Sequence, residues 1–152
     1  MPRTEPSSIA WRRTTEERAL ADADEVEYIS LDEALVLYAE IKGLAREAVD
    51  AEIRDIGLLD SALARPAHAA HYAAADLAEQ AATLVWGIAE NQAFIDGNKR
   101  LALVVMLTFL DVNGRRLEMS DDEKFQLMID ISEGATVDHV AELFRERLRP
   151  VS

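Results

Sequence analysis

The chain contains no cysteine, which excludes disulfides and thiolate chemistry and fits a reducing compartment. It has no basic segment followed by a signal-type apolar one at its start, and no apolar run reaches bilayer-spanning length. Secretion and membrane insertion are therefore not expected, and a cytoplasmic location is. Positive charge is scarce: 16 Lys and Arg stand against 29 Asp and Glu, a formal net charge of −13. Phosphate-backbone binding needs a basic face, so nucleic acid is not an expected partner. An acidic surface is ordinarily a solvated one, though it would favour a basic partner over an acidic one. No fixed-period repeat is visible.

What the chain has is apolar periodicity. With 152 residues, 49% of them hydrophobic, it is long enough for one domain with a core and suits an all-α fold. Residues 1–25, rich in charge and carrying Pro2 and Pro6, read as a flexible extension with a short helix from Thr14 to Ala21. Glu27 to Ile29 is a candidate strand. Ser30 and Glu33 form a capping box for a helix with Leu31, Ala34, Leu35, Tyr38, Ile41 and Ala45 on one face, and Gly43 marks its weak point or its end. Leu58, Leu59, Ala62 and Leu63 suit a short helix that Pro66 stops. Asp76 to Glu90 reads as an amphipathic helix.

Leu101 to Val112 reads as a buried helix at the centre of a bundle, closed by Asn113-Gly114. Arg115 to Met119 is a second candidate strand, a partner for Glu27 to Ile29. Ser120 and Glu123 box the start of a helix with Phe125, Leu127, Met128 and Ile131 inward, and Thr136 caps a last one with Val137, Val140, Ala141, Phe144 and Leu148 inward. Arg145, Arg147 and Arg149 suit the negative end of that helix, and His139 suits its surface.

Between two of these helices lies Asn91-Gln92-Ala93-Phe94-Ile95-Asp96-Gly97-Asn98-Lys99-Arg100. A glycine bend, an asparagine able to start a helix and two cations on its first turn together make an anion site, phosphate being the best fit. Asp96, two residues ahead of Asn98, is where a carboxylate would share a magnesium ion with a polyphosphate. Phe94 is placed to plug the loop into the core, and Gly97 allows the bend and the approach of a phosphate.

Phe94-Ile95-Asp96-Gly97-Asn98-Lys99-Arg100 closely resembles the signature loop of the Fic/Doc family, His-x-Phe-x-(Asp/Glu)-(Gly/Ala)-Asn-Lys-Arg in its Doc branch. Upstream, Arg54-Asp55-Ile56-Gly57-Leu58-Leu59-Asp60-Ser61-Ala62 resembles a second segment of death-on-curing proteins. Two matches in order are far more specific than either alone. The resemblance implies a Fic/Doc-like helical bundle over 26–150, with room for a short β-hairpin or two-stranded flap. It also implies ATP and Mg²⁺ as cofactors, with Gly97, Asn98, Lys99 and Arg100 binding nucleotide and Asp96 holding the metal. Asp96, Arg100 and the position of Gln92 carry the chemistry. The implied partners are an antitoxin, whose amphipathic helix lies in a groove above Lys99 and Arg100, and a translation elongation factor or other protein target.

The chain departs from the family at one decisive point: Gln92 and Ala93 stand where the family has His and Pro. That histidine takes the proton from the target hydroxyl, and a glutamine amide has no useful basicity near neutral pH. Lys99 replaces a glycine, and Leu103 an arginine, of the adenylyl-transferring branch. Both are Doc-like, and phosphoryl transfer is favoured over AMP transfer. The expected protein is a Doc-like toxin of doubtful activity; the alternative is an inactive member that binds nucleotide or antitoxin, and a redirected transferase stays open.

The remaining readings concern neighbours of the loop. Arg54 and Asp55 are expected to form a buried pair pinning it, and Arg65 could reach a phosphate. Ala67 to Ala75, which includes His68, His71 and Tyr72, occupies the place of the family's target-binding flap. Composition favours a linker with solvated imidazoles there. A sharper reading lets His68 or His71 replace the missing base. The family's inhibitory Ser/Thr-x-x-x-Glu-(Gly/Asn) motif is absent, Ser132-Glu133-Gly134 having the wrong spacing, so an outside partner is the expected restraint.

Overall fold

The computed structural model describes residues 25–151. The expected flexible extension with its Thr14 to Ala21 helix therefore lies, apart from Glu25, outside the described residues. Those residues form six α-helices, a 3-10 helix Arg46–Glu52 and two short strands. The helices are α1 (Leu31–Lys42), α2 (Ile56–Ala73), α3 (Leu77–Asn91), α4 (Asn98–Val112), α5 (Asp121–Ser132) and α6 (Val137–Arg147). The strands are β1 (Arg115–Leu117) and β2 (Leu148–Pro150). This is the expected helical bundle with a small antiparallel ribbon. Among the described residues no helix is long and apolar enough to cross a membrane.

Local signals set most boundaries. Ser30 and Glu33 close a capping box at the start of α1, and Ser120 and Glu123 another at the start of α5; each such cap stabilises a helix by about 1 kcal/mol. Gly43 ends α1 in the left-handed conformation, φ 68°, so it is the terminus and not an interior weak point.

The centre is shared by two helices. In α4, Leu101, Ala102, Val105, Met106, Phe109 and Leu110 are fully buried, as the apolar run predicts. Helix α3 is just as interior, packing on α2, α4 and α6 at once. Its small residues Ala78, Ala81, Ala82 and Gly87 lie on buried positions, where they let neighbouring backbones approach.

Three expectations are corrected. Pro66 does not stop α2, which continues through it to Ala73. The missing N–H costs one helical hydrogen bond, but Pro66 is buried and the alanine-rich run after it strongly favours helix. Glu27 to Ile29 is not a strand: the Asn113 side chain accepts from the Glu27 amide at 2.9 Å and donates to its carbonyl at 2.9 Å. Strand β1 pairs instead with β2, Leu117 opposite Leu148. Phe125 points outward, 69% exposed, while Leu127, Met128 and Ile131 form the buried side of α5.

Candidate functional site

The loop joining α3 to α4 is fastened from three sides. Helix α3 ends at Gln92, whose φ of 53° and ψ of 54° place a non-glycine residue in the left-handed region, a conformation that surrounding structure must enforce. The enforcement begins at once. The carbonyl of Ala93 accepts from the amides of Arg54 (2.7 Å) and Asp55 (3.0 Å), and Ile95 N–H donates to Glu52 at 2.9 Å. Arg54 Nε donates to the Gln92 carbonyl at 3.0 Å, and its Nη2 reaches the same oxygen. Arg54 and Asp55 are thus exposed and unpaired with each other, contrary to expectation: Arg54 holds the loop, and Asp55 caps α2 through Gly57. Their function as a pin survives, but through separate partners.

From below, Phe94 fills the core at 2% exposure. Its ring stacks on Tyr38 with centroids 3.8 Å apart and planes 13° from parallel. The Tyr38 hydroxyl then donates to the Asp96 carbonyl at 2.8 Å, so one side chain supports both the plug and the bend above it. Asn98 clamps the loop from inside: its Oδ1 accepts from Phe94 N–H at 3.0 Å and its Nδ2 donates to Phe94 C=O at 2.9 Å. Asn98 is the first residue of α4, but its side chain does not cap the helix.

The cap position belongs to Gly97, with φ 87° and no side-chain hydrogen bond. A Cβ there would lie 3.4 Å from Tyr38 Cε1 and 3.5 Å from Lys42 Cδ. Conformation more than space demands the glycine. Every other α-helix among the described residues has a side-chain cap, from Ser30, Asp55, Asp76, Ser120 or Thr136. Of these α-helices α4 alone is left without a side-chain cap on its first-turn amides, which is where an anion gains most from the backbone and the helix dipole.

Charged groups gather at this open end. Lys99 and Arg100 are exposed on the first turn. Arg100 Nη2 donates to the Ile41 carbonyl at 3.2 Å, which anchors the guanidinium against the end of α1 and leaves other N–H groups of its fork for a ligand. The Asp96 carboxylate, 77% exposed, accepts from Lys42 Nζ at 2.8 Å. The Lys42 hydrogen bond, with its charge and a Gly97 amide contact, holds that carboxyl below the usual range. Gln92, Ile95, Asp96, Gly97, Asn98, Lys99 and Arg100, with Ala89, line one cavity of about 340 Å³. A second, more apolar cavity of about 600 Å³ adjoins it, sharing Lys99 and Arg100 and floored by Leu103, Phe125, Met128 and Ile129.

The predicted loop residues therefore come together, Phe94 beneath the cavity and the others around it. Gln92 is exposed at its edge, and among the described residues its carboxamide has no hydrogen-bond partner. The fit to a magnesium ion is specific in kind. Among the described residues no group of three or more His, Asp or Glu side chains is placed to hold a metal ion by itself. One exposed carboxylate beside an anion cradle suits a metal held by that carboxylate, phosphates and water.

Other candidates lie elsewhere. His68, His71 and Tyr72 sit on the last turns of α2, not on a flap, with Tyr72 81% exposed. The Asn91 side chain donates to Leu58 C=O, so the start of α2 adjoins the loop, and ten further residues put His68 about 15 Å up the helix. Neither histidine can replace the base at Gln92 from there. Arg65 packs over Gly87 of α3, its Nη1 3.3 Å from a Cβ placed there, and does not line the loop cavity. Tyr38 and Lys42 were the missed contributors, whereas Arg54 was expected at the loop but as a partner of Asp55 rather than of the Gln92 carbonyl. Tyr38 and Lys42 are one helical turn apart on α1, but only the tertiary fold shows that this turn faces the loop.

Comparison with known proteins follows the same span. The sequence model of the Fic/DOC family matches residues 28–110. The chain is 42% identical over 73 residues to Toxin Doc of Mycolicibacterium smegmatis, a match covering 47% of this chain and 56% of that protein. The chain thus spans little more than half the length of that curated relative.

Proposed function

The chain belongs to the Fic/DOC family, in its Doc branch, and on that premise we propose that it is a Doc-like toxin subunit whose loop binds ATP with magnesium and directs the terminal phosphoryl group to a hydroxyl of a translation protein. The observation that carries this reading is the open start of α4. There the uncapped amides, Lys99, Arg100 and the exposed Asp96 surround one cavity of a size suited to a small ligand.

In this reading the first-turn amides with Lys99 and Arg100 cradle the phosphates, and Asp96 holds the metal, which when bound neutralises charge on the phosphoryl oxygens. The target's hydroxyl oxygen bonds to the terminal phosphorus while the bond to the bridging oxygen breaks, ADP leaves and the hydroxyl proton passes to water. Gln92 can orient that hydroxyl by hydrogen bonding but cannot take its proton. Positioning and charge supply most of the acceleration in phosphoryl transfer, so turnover is slowed and not abolished. The apolar cavity beside Lys99 and Arg100 suits the amphipathic helix of an antitoxin. A second reading, a binder without chemistry, is favoured by the same Gln92.

Incubation of the full chain and its Gln92→His variant with terminally labelled ATP and a lysate, alongside purified elongation factor, tests both. We expect the variant to transfer label about a hundredfold to ten-thousandfold faster than the parent. Transfer by the variant alone favours the binder. If neither transfers label and calorimetry detects no magnesium-dependent nucleotide uptake, the proposal fails.

A further inference from the structure

Lys42 lies outside the signature loop, yet its ammonium sits on the loop's only carboxylate. It is the last residue of α1. Its stem runs beneath the bend, with Cδ 3.5 Å from the place of a Gly97 Cβ, and the side chain is 22% exposed. This is a seated lysine, its stem covered and its ammonium bonded. One turn earlier on the same helix, the Tyr38 hydroxyl holds the Asp96 carbonyl at 2.8 Å. The end of α1 therefore grips Asp96 by backbone and carboxylate at once.

A divalent ion at Asp96 must share the carboxylate with the ammonium or displace it. Both are cations competing for the same oxygens, and they repel one another across a few ångströms. We propose that Lys42 is a resident competitor for Asp96, a positioning residue that keeps the acid aimed at the cavity and raises the metal concentration at which the site fills. Glu52, whose negative charge also acts on Lys42, is the acid toward which a displaced ammonium would be drawn. Metal uptake is then coupled to a change of partner by α1, the helix whose Ile41 carbonyl also holds Arg100. The inference rests on the reading that Asp96 holds the metal, and its test separates the two.

The test is Mn²⁺ titration of the ¹⁵N-labelled full chain without nucleotide, followed by paramagnetic broadening of the Gly97 amide signal. Four proteins are compared: the parent, Lys42→Met, Lys42→Arg and Asp96→Asn. Methionine keeps the stem packed on Tyr38 and Gly97 while removing the charge, and the spectra themselves report folding. Lys42→Met should bind Mn²⁺ about threefold to tenfold more tightly than the parent, given the modest strength of exposed ion pairs and the added repulsion. Lys42→Arg should stay near the parent, and Asp96→Asn should lose the broadening. Equal or weaker binding by Lys42→Met, with Asp96→Asn still silent, overturns the competitor and spares the metal site. Broadening that ignores Asp96→Asn overturns both.

Discussion

The two ends of α3 each carry an aspartate paired with a cation from a distant element, and the two pairs are built for different work. At the helix start, Asp76 caps through Glu79 N–H at 2.9 Å and accepts from Arg145 Nε at 2.7 Å and Nη2 at 3.3 Å. Arg145 is bound in turn to Glu142 and lies near Glu79. Both oxygens of Asp76 are engaged by a rigid, two-pronged partner. Past the helix end, Asp96 has one lysine, high exposure and a cavity in front of it. The contrast shows that a buried scaffold closes one charge pair into structure and leaves the other available.

The sharpest way to break this comparison is to remove what holds the open end in shape. Phe94→Ala deletes a ring buried beneath the loop and stacked on Tyr38, and should lower stability by about 3–5 kcal/mol in urea denaturation. A loss below 1 kcal/mol would mean that the loop does not depend on its plug. Next in size is Asp96→Asn, which is expected to weaken magnesium-dependent ATP binding by about tenfold to a hundredfold in calorimetry. Its denaturation midpoint should stay where it is, since the lost ion pair is exposed. If stability falls and binding does not, Asp96 belongs with Asp76 as a structural acid.

How much of this was legible in the sequence varies with the kind of interaction. Local chemistry was readable: the boxes at Ser30 and Ser120, the glycine stop after α1 and the buried face of α4 all follow from residues a few positions apart. That Asp96, Gly97, Lys99 and Arg100 would lie together was readable because they fall within five consecutive positions. What escaped was anything fixed by distant partners. Pro66 reads as a stop by local rules, and burial of the ring together with the alanine-rich run after it overrides them. The Glu27 strand failed because the Asn113 carboxamide, 86 residues away, takes both of its backbone groups. Tyr38 and Lys42 serve the loop from α1, so no spacing rule could nominate them, and Arg54 was nominated as a pin but with the wrong partner. The same limit applied to His68 and His71, whose chemistry suits a base but whose helix holds them out of range.

The smallest effect tests the closed end. Asp76→Ala removes a helix cap and the Arg145 pair together, and should cost about 1–2 kcal/mol at pH 7 with nucleotide binding unchanged. The cost should also depend on acidity. Arg145, foremost, with the Glu79 amide, holds the Asp76 carboxyl below its usual range in the folded chain, so the folded state binds that proton less readily than the unfolded state. The stabilisation is therefore complete above the unfolded carboxyl's pKa of about 3.9 and is lost as the pH falls through the lower folded value. Urea midpoints of the parent and Asp76→Ala should converge between pH 5 and pH 2. The corresponding gap for Asp96→Asn should be smaller at every pH, because lysine offers one exposed contact where arginine offers two. A constant gap for Asp76→Ala would show that its cap alone matters and that Arg145 contributes nothing, and the two ends of α3 would then differ only in exposure.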